Sequence, residues 1–413
     1  MSTFAGILSR VLSGSPPPAL PTGACRSFRN ERCSLCHAST VSYEDELRAK
    51  NSAMQEFLAT GNTPGVAGRF VPSPLGREYR TVSKRKLLAA GSRPVLALLH
   101  PDDDGSFKPI DIQRCLIEPP GHALIYETCR GALEKPYALP LRDLLSYVVV
   151  KGNYEEHSVI LNVRRITHDV LRAVNTLSKT LTHRNKTISA VFLYEDNSDG
   201  SHYLGTRAIS SVSQIRKIFG KAALFQSVHG RKFLFPPLSF SQINQSLVDG
   251  LVGGLRQWLE QKKVRTLFDL YCGYGLFSLC LSDLAKRVVG VEVSAASVEA
   301  AASNARRQRS SNTRFRRSDI TGDAVGQILK GAGSNDAVLL DPPRNGTSAG
   351  VIEAIAARRI HHVAHLFCNI EIMGQELGRW TQAGYRIDNT MPYDMFPGTA
   401  TVEMMVFLSP SGE

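Results

Sequence analysis

The chain has 413 residues, of which 43% are hydrophobic, and a formal net charge of +12 at pH 7. That length and apolar content predict two or three globular domains and exclude a disordered or fibrous protein. No apolar run approaches the roughly 20 residues that cross a bilayer, so no membrane association is expected. Eight cysteines are too few for a disulfide scaffold, and the lack of a secretory signal indicates a reducing compartment, the cytoplasm. The basic balance favours a polyanionic partner.

Residues 1–24 contain no acidic residue and a single arginine, Arg10. This composition predicts a disordered tail, with an organellar targeting segment as the alternative. Residues 25–135 hold five of the eight cysteines, and we expect them to form a small cysteine-ligated domain. A basic run from Arg77 to Lys86 precedes a predicted strand at Pro94–Leu99. The run either contacts nucleic-acid phosphates or forms a solvated charged face.

Three cysteines of this first domain are closely spaced: seven residues separate Cys25 from Cys33, and two separate Cys33 from Cys36. A Cys-x2-Cys pair can direct two sulfurs of one turn at the same centre, and Cys115 lies far downstream as a fourth thiolate. Four thiolates bind either zinc or an iron-sulfur cluster, and the spacing does not separate the two. Three other cysteines fit no such spacing and are predicted to be packing residues: Cys129, Cys272 and Cys280.

Residues 136–238 alternate short apolar runs with turn residues, which predicts a central mixed α+β domain. The strands are expected at Leu145–Val150, Ser158–Val163 and Ile188–Leu193. From 239 to 413 the pattern changes, because a predicted helix at Gln245–Gln261 is followed by apolar strands that each precede a helical stretch. This alternation predicts a Rossmann-like α/β domain with a doubly wound parallel sheet.

The segment from Thr266 to Ser278 has the pattern of a strand, a glycine turn and a helix. Gly273 and Gly275 allow the backbone to turn tightly and to approach a ligand. Glu292 lies at the end of the next apolar strand, where it can accept hydrogen bonds from ribose hydroxyls. Such a loop serves NAD as readily as S-adenosylmethionine, and a tight turn without a ligand is the simplest alternative.

Three further residues lie where strands end or begin. Asp341 follows a buried strand and precedes two prolines, which cannot continue the sheet, so its carboxylate should project from the carboxyl edge. Cys368 ends the next predicted strand, His362–Phe367, and is placed at the same edge as a nucleophile, although an isolated buried cysteine is more often inert. Glu403 precedes the strand-like Met404–Leu408 and would by itself be an ordinary surface acid.

Together these segments resemble the RNA 5-methyluridine methyltransferase family, whose members carry S-F-x-Q-x-N, D-L-[YF]-C-G-x-G, D-P-P-R-x-G, S-C-N and F-P-x-T-x-H-x-E. The chain matches these motifs in order over about 165 residues. The matching segments are Ser239–Asn244, Asp269–Gly275, Asp341–Gly346, Phe367–Asn369 and Phe396–Glu403. Two positions depart from the family pattern: Phe367 replaces Ser, and Thr401 stands where His is usual.

The resemblance implies a class I methyltransferase in which S-adenosylmethionine is bound by Gln242, Tyr271, Glu292 and Asp341. It also implies that Cys368 is the nucleophile and Glu403 the general base. This chemistry suits uracil, because a thiolate that adds to C6 concentrates electron density on C5, which then accepts the methyl group. A carboxylate must afterwards remove the C5 proton so that the thiolate can leave. An NAD-dependent enzyme would use the glycine loop and Glu292 but gives Asp341, Cys368 and Glu403 no shared role.

The cysteine spacing is similar to that of a bacterial subgroup of this family, which methylates 23S ribosomal RNA and lacks a TRAM domain. That likeness implies a 4Fe-4S cluster on Cys25, Cys33, Cys36 and Cys115, and the segment Arg114–Pro120 resembles the stretch with the subgroup's fourth ligand. We therefore expect a monomeric enzyme acting on ribosomal RNA. Transfer RNA as the substrate, or a non-catalytic RNA-binding relative, are the alternatives.

Overall fold

The computed structural model describes residues 3–14, 37, 41–60, 68–90, 93–101, 107–196 and 215–412. Within these ranges no helix combines the length and the apolar character that a membrane span requires. Two seven-stranded sheets and a two-stranded hairpin make up the β structure of the described residues. Each of the two large sheets has its own hydrophobic core.

The described part of the N-terminal segment is a helix, α1 (Phe4–Ser13), and not the disordered tail that its composition predicts. Thr3 caps the helix, because its hydroxyl accepts a hydrogen bond from the N–H of Gly6. Phe4, Ile7 and Leu8 are buried, and the Phe4 ring lies edge-on against Phe57 of α2 (Tyr43–Thr60). Composition alone did not predict this helix, because its three buried apolar residues, at helical spacing, pack against a helix about 40 residues away.

The first sheet has the strand order β3-β2-β1-β4-β5-β6-β7. Its strands are β1 (Val82–Ala90), β2 (Arg93–Pro101), β3 (Phe107–Asp111), β4 (Leu145–Gly152), β5 (His157–Val163), β6 (Ile188–Glu195) and β7 (Ile215–Gly220). One face is covered by α3 (Pro120–Leu133), α4 (Leu139–Leu144) and α5 (His168–Arg184). The strands expected at Pro94–Leu99, Leu145–Val150, Ser158–Val163 and Ile188–Leu193 are confirmed.

The boundary expected between residues 135 and 136 does not divide the structure. Strand β1 pairs antiparallel with β4, with Lys86 opposite Tyr147, so both sides of the expected boundary belong to the same sheet. One residue of the basic run, Arg85, does not lie on the solvated charged face that was one of the two expectations for this run. Arg85 is only 2% exposed and donates two hydrogen bonds to the Glu118 carboxylate, at 3.0 and 2.8 Å. This arginine is therefore part of a buried ion pair.

A short connection follows the first sheet. It consists of the hairpin β8 (Leu224–Val228) and β9 (Arg231–Phe235), and then α6 (Val248–Glu260), which the sequence predicted. The hairpin is tied to the second sheet by Asn304, whose side chain exchanges hydrogen bonds with the backbone of Leu234 at 2.8 and 3.0 Å. Short 3-10 turns occupy Pro136–Ala138, Gln245–Leu247 and Ser282–Leu284.

The second sheet has the order β12-β11-β10-β13-β14-β16-β15. Its strands are β10 (Val264–Leu270), β11 (Ala285–Glu292), β12 (Thr313–Arg317), β13 (Ala337–Leu340), β14 (His362–Phe367), β15 (Tyr385–Tyr393) and β16 (Glu403–Pro410). Helices α6, α7 (Leu276–Cys280) and α8 (Ala295–Arg307) pack on one face. The other face carries α1, α2, α9 (Gly322–Ile328), α10 (Val351–Ala356) and α11 (Met373–Gln382).

Burial on both faces explains why the central strands are continuous apolar runs. The predicted doubly wound arrangement holds for β10 to β14, which are parallel. The expectation of a wholly parallel sheet is wrong for β15 and β16, because β16 runs antiparallel to β14 and carries β15 on its other side. This reversal brings the start of β16 to the carboxyl end of β14, where the predicted catalytic residues lie.

Candidate active site

Strand register collects the predicted residues at one edge of the second sheet. Leu270 is paired with Val291 on one side and with Leu340 on the other, and Phe367 is paired with Met404. The residues next to these partners therefore lie in line along the carboxyl ends of the strands, where open α/β sheets bind ligands. These residues are Tyr271, Glu292, Asp341, Cys368 and Glu403.

The glycine turn after β10 has three residues in the left-handed region: Tyr271 at φ +69°, Gly273 at +53° and Gly275 at +84°. The two glycines differ in the space around them. A Cβ on Gly275 would lie 2.7 Å from the ring of Phe315, so this position needs glycine for packing. A Cβ on Gly273 would meet no atom within 4 Å, so the backbone there faces open space. The turn thus leaves room for a ligand beside Gly273.

Glu292 is held in place by two backbone amides. Its Oε2 accepts a hydrogen bond from the N–H of Gly273 at 3.1 Å, and its Oε1 accepts one from the N–H of Ser294 at 2.8 Å. An ionised carboxylate has about four acceptor positions, so two remain for a ligand. The carboxylate is fixed in orientation before any ligand binds.

A buried acid that the sequence reasoning did not single out lies below this turn. Asp269 is fully buried; its Oδ2 accepts a hydrogen bond from the Ser278 hydroxyl at 2.5 Å, while its Oδ1 has no partner among the described residues. Burial raises the pKa of Asp269 to about 7. Burial and the charge of Asp269 likewise raise the pKa of Asp341 to about 7. The signal was present in the sequence, because Asp269 opens the glycine motif.

Cys368 and Glu403 face each other across β14 and β16. Burial, and then the negative charges of Glu403 and Asp341, raise the pKa of the Cys368 thiol to about 11. Glu403 is 8% exposed, and burial followed by the charge of Asp341 raises its pKa to about 8, against the opposing effect of Arg344. The Cys368 sulfur lies 3.8 Å from the carbonyl oxygen of Pro342. A thiol and two acids with raised pKa values thus share one edge without a buried cation among the described residues.

The loop that precedes Glu403 is anchored by a buried charge network that sequence reasoning also missed. Lys50 of α2 is fully buried, and its Nζ lies 2.7 Å from both Asp394 Oδ1 and Glu46 Oε1. The N–H of Gly398 donates a hydrogen bond to Glu46, and the carbonyl of Gly398 accepts one from the N–H of His37 at 2.7 Å. The N-terminal helix α2 therefore holds the chain segment that leads into Glu403.

Gln242 is 6% exposed and lies in a segment that is fixed from both sides. Asn244 donates hydrogen bonds to the Ser73 hydroxyl at 2.8 Å and to the Met395 carbonyl at 3.2 Å. At the start of the segment, the buried ammonium of Lys151 donates to the carbonyls of Ser239 and Pro237. The segment is thereby attached both to the first sheet and to the loop before Glu403.

The two departures from the family pattern occupy different environments. Phe367 is 2% exposed and stacks on the His365 ring at 4.0 Å, within the core on one face of the second sheet. Because strand neighbours alternate between faces, its bulk is directed away from the side that Cys368 takes. Thr401 is half-buried, and its N–H donates a hydrogen bond to the Thr399 hydroxyl at 3.2 Å.

Of the four predicted cluster ligands, only Cys115 belongs to the described residues, where it is half-buried. Cys25, Cys33 and Cys36 lie outside them. In the part of the chain that is described, no group of three or more His, Cys, Asp or Glu side chains is arranged to hold a metal. The three cysteines predicted to be packing residues are buried, which confirms that prediction: Cys129, Cys272 and Cys280.

Comparison with known proteins agrees with this geometry. The model of the family described as tRNA (Uracil-5-)-methyltransferase matches residues 212–411, which include the whole second sheet. The matched region, 200 of the 413 residues, is similar to that family along the whole candidate site. The chain is an S-adenosylmethionine-dependent RNA (uracil-5-)-methyltransferase.

Relatives of this methyltransferase match along nearly the whole chain. The 23S rRNA (uracil(747)-C(5))-methyltransferase of Yersinia enterocolitica is 24% identical over 394 residues, 93% of this chain and 99% of that protein. An uncharacterized RNA methyltransferase of Geobacter sulfurreducens is 27% identical over 386 residues, 91% of this chain and 75% of the relative.

The fold of the methyltransferase is also known from a solved structure. The tRNA (uracil-54, C5)-methyltransferase of Pyrococcus abyssi, in complex with S-adenosyl-L-homocysteine, superposes with a TM-score of 0.67. The alignment covers 90% of this chain and 85% of the Pyrococcus protein, with 19% sequence identity. The two proteins therefore share a fold.

Proposed function

We propose that this methyltransferase modifies C5 of a uridine in RNA through a covalent adduct with Cys368, and that Glu403 resolves the adduct. The observation that carries the proposal is the position of Cys368 opposite Glu403 in the antiparallel pair of β14 and β16, since Phe367 is paired with Met404. One group can then reach C6 of a uracil while the other reaches C5.

The proposed reaction begins with Cys368 and ends with release of the methylated uracil. The thiolate of Cys368 forms a bond to C6, and the electron pair of the C5–C6 double bond moves to C5 and the neighbouring carbonyl. C5 would take the methyl group from the sulfonium of S-adenosylmethionine as the methyl–sulfur bond breaks and S-adenosylhomocysteine leaves, so that C5 briefly carries both a proton and a methyl group. The Glu403 carboxylate removes the proton, the double bond re-forms and the C6–S bond breaks. Arg344, whose guanidinium lowers the pKa of both Cys368 and Glu403, favours the reactive ionised forms.

S-adenosylmethionine, when bound, supplies the methyl group and a positively charged sulfonium. We propose that Gln242, Tyr271, Glu292 and Asp341 bind it. Support comes from the unpartnered Oδ1 of Asp269 and from the raised pKa of Asp341, because uncompensated buried acids suit a cationic ligand. Further support comes from the fixed Glu292 carboxylate and from the open space beside Gly273.

We propose 23S ribosomal RNA as the substrate, because a relative of that name matches this chain over 99% of its own length. The test is to map 5-methyluridine in ribosomal and transfer RNA from a deletion strain, from wild type and from the deletion strain carrying the Cys368→Ala gene. Loss of one site in 23S RNA that the wild-type gene restores and the variant does not is the expected result. Loss of a transfer RNA site would redirect the proposal to that substrate, and unchanged RNA would contradict it.

We also propose a 4Fe-4S cluster on four cysteine thiolates, Cys25, Cys33, Cys36 and Cys115. Support comes from His37, the residue after Cys36, whose Nε2 lies 3.3 Å from Glu46. Glu46 also pairs with Arg77 at 3.0 Å. The next residue, Glu78, donates its N–H to the carbonyl of Leu116, the residue after Cys115, at 2.9 Å. The residue after Cys36 and the residue after Cys115 are thus linked through Glu46, Arg77 and Glu78.

The cluster proposal is tested by metal analysis of anaerobically purified protein. We expect a brown protein with about four irons per chain. Cys115→Ser should lose most of this iron, whereas Cys129→Ser, at the buried cysteine of α3, should keep it. Stoichiometric zinc without iron would contradict the proposal.

A further inference from the structure

Six arginines lie within twelve residues at the end of α8, in the following turn and along β12. Between Glu299 and Asp319 the sequence contains no acidic residue. All six side chains are exposed. We call this set the arginine strip: Arg306, Arg307, Arg309, Arg314, Arg316 and Arg317.

The charges of the arginine strip are not compensated. Within the described residues none of the six forms an ion pair, whereas exposed arginines elsewhere, such as Arg48 and Arg172, pair with an acid three residues away. Arg314 donates to the carbonyl of Ser311 at 3.0 Å, and Arg317 donates to the carbonyl of Val293 at 3.2 Å. Both contacts are to neutral groups, so the strip presents a positive surface of a single sign.

The strip extends along the free edge of the second sheet and ends near the cofactor residues. β12 is the outermost strand, and its last residue, Arg317, is paired with Glu292 of β11. Helix α8 begins after Glu292 and returns to the start of β12, so Arg306 and Arg307 lie at the opposite end of the strand. Four strand spacings, about 19 Å, separate β12 from β14 and Cys368.

We propose that the arginine strip binds the phosphate backbone of the substrate RNA at a site outside the catalytic pocket. This inference rests on the proposed methylation of RNA, and it assigns a second surface to the same substrate. A structured RNA that places one uridine over Cys368 extends well beyond 19 Å, and its phosphates match a row of exposed guanidiniums in charge. Phosphate contacts of this kind position an RNA without reading its sequence.

An edge strand has another use for charge, because charged side chains discourage pairing with a second sheet. That use does not account for Arg306, Arg307 and Arg309, which lie outside β12. Charged side chains of either sign would discourage pairing at the edge strand, whereas RNA binding requires cations. Replacement of arginine by glutamate therefore separates the two explanations, since glutamate keeps the edge charged and repels phosphate.

The test compares two triple variants of the full-length protein with the same change in charge. The strip variant carries Arg306→Glu, Arg314→Glu and Arg316→Glu. The control variant carries Lys179→Glu, Arg184→Glu and Lys186→Glu on and after α5, where all three side chains are also exposed. In each variant one substitution falls in the last turn of a helix. Melting temperature and S-adenosylmethionine affinity report whether each variant is folded.

Binding is measured with a short labelled RNA hairpin over a range of salt concentrations, and methyl transfer with transcribed 23S RNA in a single turnover. The strip variant should bind the hairpin at least about tenfold more weakly at low salt. Its plot of log affinity against log salt should be shallower by about two to three, since each lost phosphate contact removes about 0.7 on a single strand and about 0.9 on a duplex. At saturating RNA its methyl-transfer rate should stay within about twofold of wild type.

Equal affinity and equal salt dependence in wild type and the strip variant would overturn the proposal, as would an equal loss in the control variant. The hairpin-binding result and the methyl-transfer result can fail independently. If wild-type protein transfers no methyl group to 23S RNA, that substrate is wrong, whereas the hairpin measurement still decides the arginine strip.

Discussion

Two groups of buried charges, one in each seven-stranded sheet, differ in whether a counter-ion accompanies them. In the first sheet the buried cation Arg85 is paired with Glu118 through two hydrogen bonds. At the carboxyl edge of the second sheet, Asp341 and Glu403 form no ion pair within the described residues, and burial raises the pKa of each. Unpaired buried acids cost stability, so their persistence at one edge marks a place that a positively charged ligand completes. The Arg85–Glu118 pair stabilises the first sheet, and we propose that the edge of the second sheet is the reaction site.

The largest effect should come from removing the proposed nucleophile at the edge of the second sheet, Cys368. Cys368→Ala should bind RNA and S-adenosylmethionine but lower methyl transfer by about 10⁴-fold or more, because the covalent route is lost. A single-turnover assay with labelled methyl groups measures this loss. Cys280→Ala, at a buried cysteine of α7, serves as the control and should keep its activity. Comparable activity in the two variants would remove Cys368 from the mechanism.

In the first sheet a mutation at the buried pair should affect folding instead. Glu118→Ala leaves the buried Arg85 without a negatively charged partner and should lower the free energy of unfolding by about 3–5 kcal/mol, as measured by denaturant titration. The double change Arg85→Met with Glu118→Leu should recover most of this loss.

The matched control is Glu134→Ala, which breaks the exposed pair of Glu134 with Arg93 and should cost at most about 1 kcal/mol. A Glu118→Ala protein as stable as wild type would contradict the view that the ion pair of Arg85 and Glu118 stabilises this sheet.

A smaller effect is expected at Glu292, which we propose binds the cofactor. Glu292→Ala should weaken S-adenosylmethionine binding by about 1.5–3 kcal/mol, the range for losing a charged hydrogen-bond partner. Calorimetry measures the affinity, and Glu299→Ala, an exposed acid of α8, should leave it unchanged. Wild-type affinity in Glu292→Ala would exclude this carboxylate from the cofactor site.

The smallest predicted change is a shift in titration. In the protein without ligand, Glu403 should titrate near pH 8, because burial favours its neutral form. Infrared difference spectra between wild type and Glu403→Gln report the protonated carboxyl group. Addition of S-adenosylmethionine should lower this pKa by about 1–3 units, since a nearby positive charge favours the carboxylate. An ordinary glutamate pKa that the ligand leaves unchanged would weaken the contrast between the sheets.

The sequence predicted the parts of this protein that local patterns determine. Continuous apolar runs located β10, β13 and β14, and the motifs at their ends located Asp341 and Cys368. The single first sheet was not predictable in this way, because the pairing of Lys86 with Tyr147 joins segments about 60 residues apart and has no local signature. Lys50 was missed for the same reason, since its partner Asp394 is 344 residues away.

The central claim, that Cys368 and Glu403 act at different steps, is tested most directly by Glu403→Gln. Its amide cannot remove the C5 proton, so the variant should methylate once and then stop with RNA attached through sulfur. The measurement is denaturing gel electrophoresis after incubation with S-adenosylmethionine labelled in the methyl group. The account predicts a labelled RNA–protein species that is absent when Cys368→Ala is combined with Glu403→Gln. Turnover of Glu403→Gln at the wild-type rate, or methylation by Cys368→Ala, would contradict it.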